Sequence, residues 1–146
     1  MRISKYNSEG YFDPTTYEAL TRIEKEERAV KAAKTGYRPI VYICSPFAGD
    51  IDGNTKKARQ YCRFAVEQNA IPLALHLLFP QFLDDSISAE RELAMQMNLV
   101  LLGKCSELWV FGSTVSRGLA VEIERARQRN QRIRYFNETL EEVDAL

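Results

Sequence analysis

Five consecutive residues, Ile40-Val41-Tyr42-Ile43-Cys44, form an unbroken apolar run rich in β-branched and aromatic side chains. Such a run marks a strand buried on both faces, as in a parallel sheet covered by helices. A parallel neighbour is reached only through a crossover, usually a helix, so helix and strand must alternate downstream. They do. Residues 45–53 read as a loop, with Pro46, Gly49 and Gly53. Residues 54–68 read as a helix, with Ala58, Tyr61, Cys62, Ala65 and Val66 at helical spacing. Residues 70–75 read as the second strand, where Pro72 lacks an N–H and marks an edge. Residues 76–87 are a long connection carrying Leu77, Leu78, Phe79, Phe82 and Leu83. A loop that apolar folds over the core, a ligand or another subunit. A helix from Ser88 to about Gly103, a strand over 107–111, a loop over 112–118, a helix from about Leu119 to Arg129 and a strand over 132–136 complete the series.

The expected architecture is α/β: a doubly wound, mostly parallel sheet of four to five strands, Rossmann- or flavodoxin-like, in the order 2-1-3-4 with right-handed crossovers. Ligands of such sheets bind outside the strand C-termini where the order reverses, here between the first and third strands. The loops 45–54 and 112–118 meet there. Ahead of this domain, residues 1–12 read as irregular. Asp13, Pro14, Thr15 and Glu18 make a helix start. A charged, largely solvated helix then runs from Pro14 to about Lys34 and stops at Thr35-Gly36. The division is residues 1–38, an N-terminal arm and extra helix, and 39–146, the α/β domain.

Charge narrows the partners. Twenty basic and twenty acidic residues cancel, which argues against binding polymeric nucleic acid and leaves room for a small anionic ligand. Cys44, Cys62 and Cys105 are an odd number without metal-like spacing. They read as reduced core thiols in a cytoplasmic protein, and neither a metal nor a cofactor is expected. The opening Met1-Arg2-Ile3-Ser4-Lys5 has no apolar leader region, and no apolar run is long enough to span a bilayer.

Several residues suit a ligand at the switch point. Ser45, Pro46, Phe47, Ala48, Gly49 and Asn54 belong to a small, flexible loop that leads into a helix N-terminus. Free N–H groups there favour a phosphate or a carboxylate, although the loop is neither a Walker nor a Rossmann glycine motif. Ser113, Ser116, Arg117 and Gly118 offer hydroxyls, a guanidinium and close backbone approach for a phosphate. Arg59 is near enough to the first loop to reach an anion. Glu122, one turn into the last helix, either turns its carboxylate toward the switch point or complements the helix dipole. His76, the single histidine, is either a structural residue or part of the site. Tyr42 places its ring in the core with its hydroxyl within reach of the pocket, and Trp109 and Phe111 read as core.

The stretch Val41-Tyr42-Ile43-Cys44-Ser45-Pro46-Phe47-Ala48-Gly49 resembles the opening of the nucleoside 2-deoxyribosyltransferase-like superfamily. Residues 101–112, with Ser116-Arg117-Gly118-Leu119-Ala120-Val121-Glu122, are similar to its bacterial and phage domains of unknown function. The superfamily also includes 2'-deoxynucleoside 5'-monophosphate N-glycosidases. The resemblance covers about residues 39–137. It implies that Glu122, the glutamate of the Ser-x-Gly-x-x-x-Glu pattern, is a nucleophile that attacks C1' of a deoxyribosyl group. Water or a second base would then resolve the glycosyl-enzyme, as in a retaining glycosidase. Tyr42 would orient Glu122. The loop 45–49 and Ser116 would hold the 5' end or a phosphate, and His76 matches a histidine of some N-glycosidases. Dimers or larger homo-oligomers are implied, with a neighbour closing the pocket.

One departure stands out. The active enzymes carry an aspartate 24 residues before the glutamate, and Asn98 occupies that position. Asparagine can hydrogen-bond a sugar or base edge but cannot transfer a proton as a carboxyl does. Glu90 and Glu92, earlier on the same helix, are the substitutes at hand. The expectation is therefore a nucleoside- or nucleotide-binding protein that cleaves or transfers at the N-glycosidic bond. The alternative is a non-catalytic nucleotide-sensing or interaction module with the same pocket.

Overall fold

The computed structural model describes residues 18–27 and 36–145. The chain divides into two compact units, Met1–Tyr37 and Arg38–Leu146. In the first, residues 18–27 are helical (α1). The expected helix start at Asp13–Thr15, the irregular residues 1–12 and the stop at Thr35 lie outside the described residues.

The second unit is an α/β fold around a five-stranded sheet in the order β2-β1-β3-β4-β5. Its strands are β1 (Ile40–Cys44), β2 (Ile71–Leu73), β3 (Glu107–Phe111), β4 (Arg132–Phe136) and β5 (Glu142–Val143). The helices between them are α2 (Ile51–Glu67), α3 (Ser88–Leu102) and α4 (Arg117–Gln128). The β1–β2, β1–β3 and β3–β4 pairings are parallel, and β4–β5 is antiparallel. The order expected for the first four strands holds, and Pro72 does sit on the edge strand.

Strand alternation sorts the core into two clusters. Val41, Ile43, Trp109 and Phe111 pack with Tyr61 and Ala65 of α2 and with Phe136. Tyr42, Cys44, Leu108 and Val110 pack with Leu102 of α3 and with Leu119, Ile123 and Ala126 of α4. The continuous apolar run of β1 is thus explained by helices on both of its faces. Gln131 ties the α3 end to β4, its side-chain amide donating to the carbonyls of Leu102 and Cys105, each at 2.9 Å.

Three boundaries differ from expectation, each for a local reason. Helix α2 begins at Ile51 rather than Asn54, because the Asp50 carboxylate caps it by accepting from the Gly53 N–H at 3.1 Å. Helix α4 begins at Arg117, with Ser116 Oγ accepting from the Leu119 N–H at 3.3 Å. Strand β2 is only three residues long, and the chain turns at Ala74 into two short 3-10 turns, Leu75–Leu77 and Phe79–Gln81. Among the described residues no helix is long and apolar enough to cross a membrane.

Candidate active site

The end of β1 with its loop, the connection after β2, helix α3 and the start of α4 line a cavity of about 370 Å³. That lies within the range of small-molecule sites. Strand β1 and its loop contribute Tyr42, Ser45, Phe47 and Ala48. The connection after β2 contributes Leu75, His76, Phe79, Leu83 and Asp85. Of its five apolar residues singled out in the sequence, Phe79 and Leu83 line the hollow, whereas Leu77, Leu78 and Phe82 do not, and Leu78 and Phe82 are exposed. Helix α3 contributes Glu90, Arg91, Met95 and Asn98, and the start of α4 contributes Ser116, Arg117, Gly118 and Glu122.

Glu122 is the central group. Its neighbours on α4, Leu119, Ile123 and Ala126, are buried at helical spacing. Glu122 occupies the same core-facing stripe and is only 6% exposed. Tyr42 and Cys44 stand two apart on β1 and so share a face, the face that meets α4. The Tyr42 hydroxyl donates to Glu122 Oε1 at 2.9 Å, and the Cys44 thiol donates to Oε2 at 3.2 Å. Burial pushes the Glu122 carboxyl above its ordinary pKa, and the two donors oppose that rise. Burial also raises the Tyr42 hydroxyl and the Cys44 thiol, so both keep their protons and act as donors. Among the described residues no basic group forms an ion pair with Glu122. The carboxylate is turned inward onto Tyr42 and Cys44, and Glu122 lines the cavity.

The other polar groups are arranged around it. Ser45 Oγ and His76 Nε2 share a hydrogen bond of 3.0 Å. Burial lowers the His76 pKa to about 4, so the imidazole is neutral at neutral pH. The Ser116 hydroxyl lines the cavity while its oxygen caps α4, which leaves its proton free to be donated. Asn98 Oδ1 is buried without a hydrogen-bond partner, and a donor on a ligand would satisfy it. Arg91 and Arg117, both exposed, are the two arginines among the described residues that line the cavity.

Five residues expected at the ligand stand elsewhere. Arg59 lines a separate surface hollow with Gln60, Arg63 and Phe64. The preceding Ala58 faces the core, so the next residue along the helix turns outward. Ser113 is exposed, and its hydroxyl reaches Glu138 at 3.5 Å. Asn54 acts indirectly: its side-chain amide donates to the carbonyls of Phe47 and Ala48 at 3.2 and 3.0 Å and braces the wall. Gly49 adopts φ +93°, which lets the loop turn, but neither it nor Pro46 lines the cavity. Of the two substitutes for a carboxylate at position 98, Glu90 lines the cavity and Glu92 does not.

Sequence reasoning missed Cys44, Arg91 and Asp85 as parts of the site. Cys44 carried a readable signal, sharing strand parity with Tyr42. So did Arg91, seven residues before Asn98 and therefore on the same face of α3. Asp85, in an irregular segment, carried none.

Residues 39–136 match the model of a domain of unknown function, DUF7768. The match runs from the residue before β1 to the end of β4 and includes every wall of the cavity. No curated protein matches the chain.

Proposed function

From the starting point that the chain belongs to the DUF7768 family, we propose that its cavity binds a nucleoside or nucleotide and that Glu122 cleaves the N-glycosidic bond. One observation carries this reading: a buried carboxylate, gripped at both oxygens and free of a described counter-cation, faces a hollow of about 370 Å³. A purely structural acid in a core is normally neutralised by a base. An electron pair of the Glu122 carboxylate forms a bond to C1', and the C1'–N bond breaks with its electrons passing to the base. The departing base takes a proton from Glu90 or from water. Attack of water or of a second base at C1' then releases the sugar and regenerates the carboxylate. Arg91 and Arg117 favour an anionic substrate, a nucleotide over a nucleoside. The reading includes a doubly wound, Rossmann-like arrangement with its ligand at the β1–β3 switch point, and a cytoplasmic setting.

The second reading, a nucleotide-sensing or interaction module, is favoured by Asn98. Its unpaired Oδ1 can accept a hydrogen bond but cannot transfer a proton. Incubation with a panel of nucleosides and 5'-monophosphates separates the two. A thermal shift together with chromatographic release of free base is the expected result. A shift without release selects the sensor. No shift even at millimolar ligand removes both readings.

Self-association belongs to the same proposal. Leu93 and Val100, seven residues apart on α3, are 47% and 61% exposed. A second copy of the chain covering this face would bury them and bring neighbouring residues toward the cavity, whose wall α3 forms. Light scattering should report a dimer or larger species, and Val100→Glu should shift it toward monomer. A monomer at all concentrations removes this part.

A further inference from the structure

We propose that Cys44 is a positioning residue that clamps the Glu122 carboxylate for attack, an inference resting on the reading of Glu122 as the nucleophile. A glutamate carboxylate turns readily about its last torsion, which has no sharp rotamer wells. The Tyr42 hydroxyl on Oε1 fixes one oxygen at 2.9 Å. The Cys44 thiol on Oε2 at 3.2 Å fixes the other, and with it the plane of the group. Both donors come from one face of one strand, and the pairing of that strand to β3, Tyr42 opposite Leu108 and Cys44 opposite Val110, sets their spacing.

The chemistry of sulfur suits this task. A thiol is a weak donor, so it aligns an oxygen while withdrawing little of the charge that must attack carbon. A cysteine that merely fills a core behaves as a small hydrophobe. The Cys44 sulfur instead lies within hydrogen-bond reach of a buried carboxylate, in a side chain only 1% exposed. Besides Tyr42, the titratable groups that share the cavity with Glu122 are His76, Asp85, Glu90, Arg91 and Arg117, and Cys105 packs in the same core cluster as Tyr42 and Cys44. They remain in place when Cys44 is changed, so a difference between variants reports the thiol.

A donor to the ionised form lowers a carboxyl pKa, and removing it raises that pKa. Because attack needs the ionised form, the acid limb of kcat/KM in Cys44→Ala should move to higher pH. Loss of alignment should lower kcat up to about 10²-fold. Cys44→Ser restores a donor and should return the limb and most of the rate. A mere filler predicts the reverse order, since a hydroxyl among apolar neighbours is worse tolerated than a methyl. The second measurement is a carbon-13 titration of the Glu122 carboxyl, assigned by its absence in Glu122→Gln, on variants whose circular dichroism matches the wild type. A raised midpoint in Cys44→Ala, reversed in Cys44→Ser, supports the clamp even if no base is ever released, in which case only the functional reading fails. Base release by the wild type with midpoint and limb unmoved in Cys44→Ala overturns the clamp and leaves the function standing. So does a serine variant no better than the alanine.

Discussion

Glu122→Gln is expected to abolish release of free base, by roughly 10⁴–10⁶-fold in kcat, while leaving a folded protein that still binds ligand. Glutamine matches glutamate in size and can still accept a hydrogen bond, so the cavity keeps its shape. What it lacks is the electron pair of an ionised carboxylate, and no other group on the wall is clamped in the same way. Asp85 and Glu90 line the cavity, but Glu90 Oε2 is held by the Asp84 N–H at 3.2 Å rather than by paired donors from a strand. Chromatography of the reaction mixture reads the rate, and the ligand-induced thermal shift reads binding. Turnover within tenfold of wild type would remove Glu122 from the chemistry.

The same substitution should raise the melting temperature at neutral pH. The Glu122 carboxyl holds its proton more tightly when folded than when unfolded, because burial penalises its charge. Stability from this group is therefore greatest below the ordinary carboxylate range and falls as pH rises through the elevated folded value. Glutamine carries no such cost. The difference between variant and wild type should be near zero at pH 4 and grow toward pH 8, at about 2–4 °C for each kcal/mol recovered. A functional acid kept at a loss of stability is a familiar trade, and this experiment reads it independently of substrate. A variant less stable than wild type across the whole range would mean that the ionised carboxylate holds the fold together.

Much of the frame was legible because local pattern and tertiary burial agree. Strands β1, β3 and β4 span the same residues that the sequence pattern assigns to them, 40–44, 107–111 and 132–136. Alternation of helix and strand predicts a parallel sheet, and the order expected for the first four strands, taken from how doubly wound sheets are built, matches the one observed. Strand β5 was not legible. It has two residues, too few for any period, and it is fixed by contacts from outside itself. Arg134 donates to both Glu142 carboxylate oxygens, at 2.9 and 2.8 Å. The site divides the same way. Glu122 could be placed beside the loops, but proximity in sequence says nothing about direction, which is why Arg59 turned out to face a different hollow. Asn98 was visible as a departure. That its Oδ1 would be buried and unsatisfied depends on α3 packing, which no single position encodes.

The second large effect is on stability, and it comes from the face of the sheet opposite Tyr42 and Glu122. Phe111→Ala should cost about 3–5 kcal/mol, the range for a large aromatic side chain truncated in a packed core. Phe111 is fully buried. It stacks on Tyr61 at 4.3 Å and on Phe136 at 5.0 Å between ring centroids, and meets Phe64 edge-on at 6.1 Å. Removing it breaks three aromatic contacts at once and leaves a void between α2 and the sheet that neighbouring strands cannot collapse to fill. Urea denaturation should show a lower midpoint with an unchanged slope. Phe82→Ala is the internal control: that ring is 63% exposed and, among the described aromatic rings, meets Phe79 alone, edge-on at 5.9 Å, so its loss should stay within about 0.5 kcal/mol. Because Tyr42, Cys44 and Glu122 lie on the other face, the milder Phe111→Leu should lower stability without moving the pH profile of base release. A Phe111→Ala cost below about 1 kcal/mol would contradict the packing that holds the two strands beneath the cavity in register.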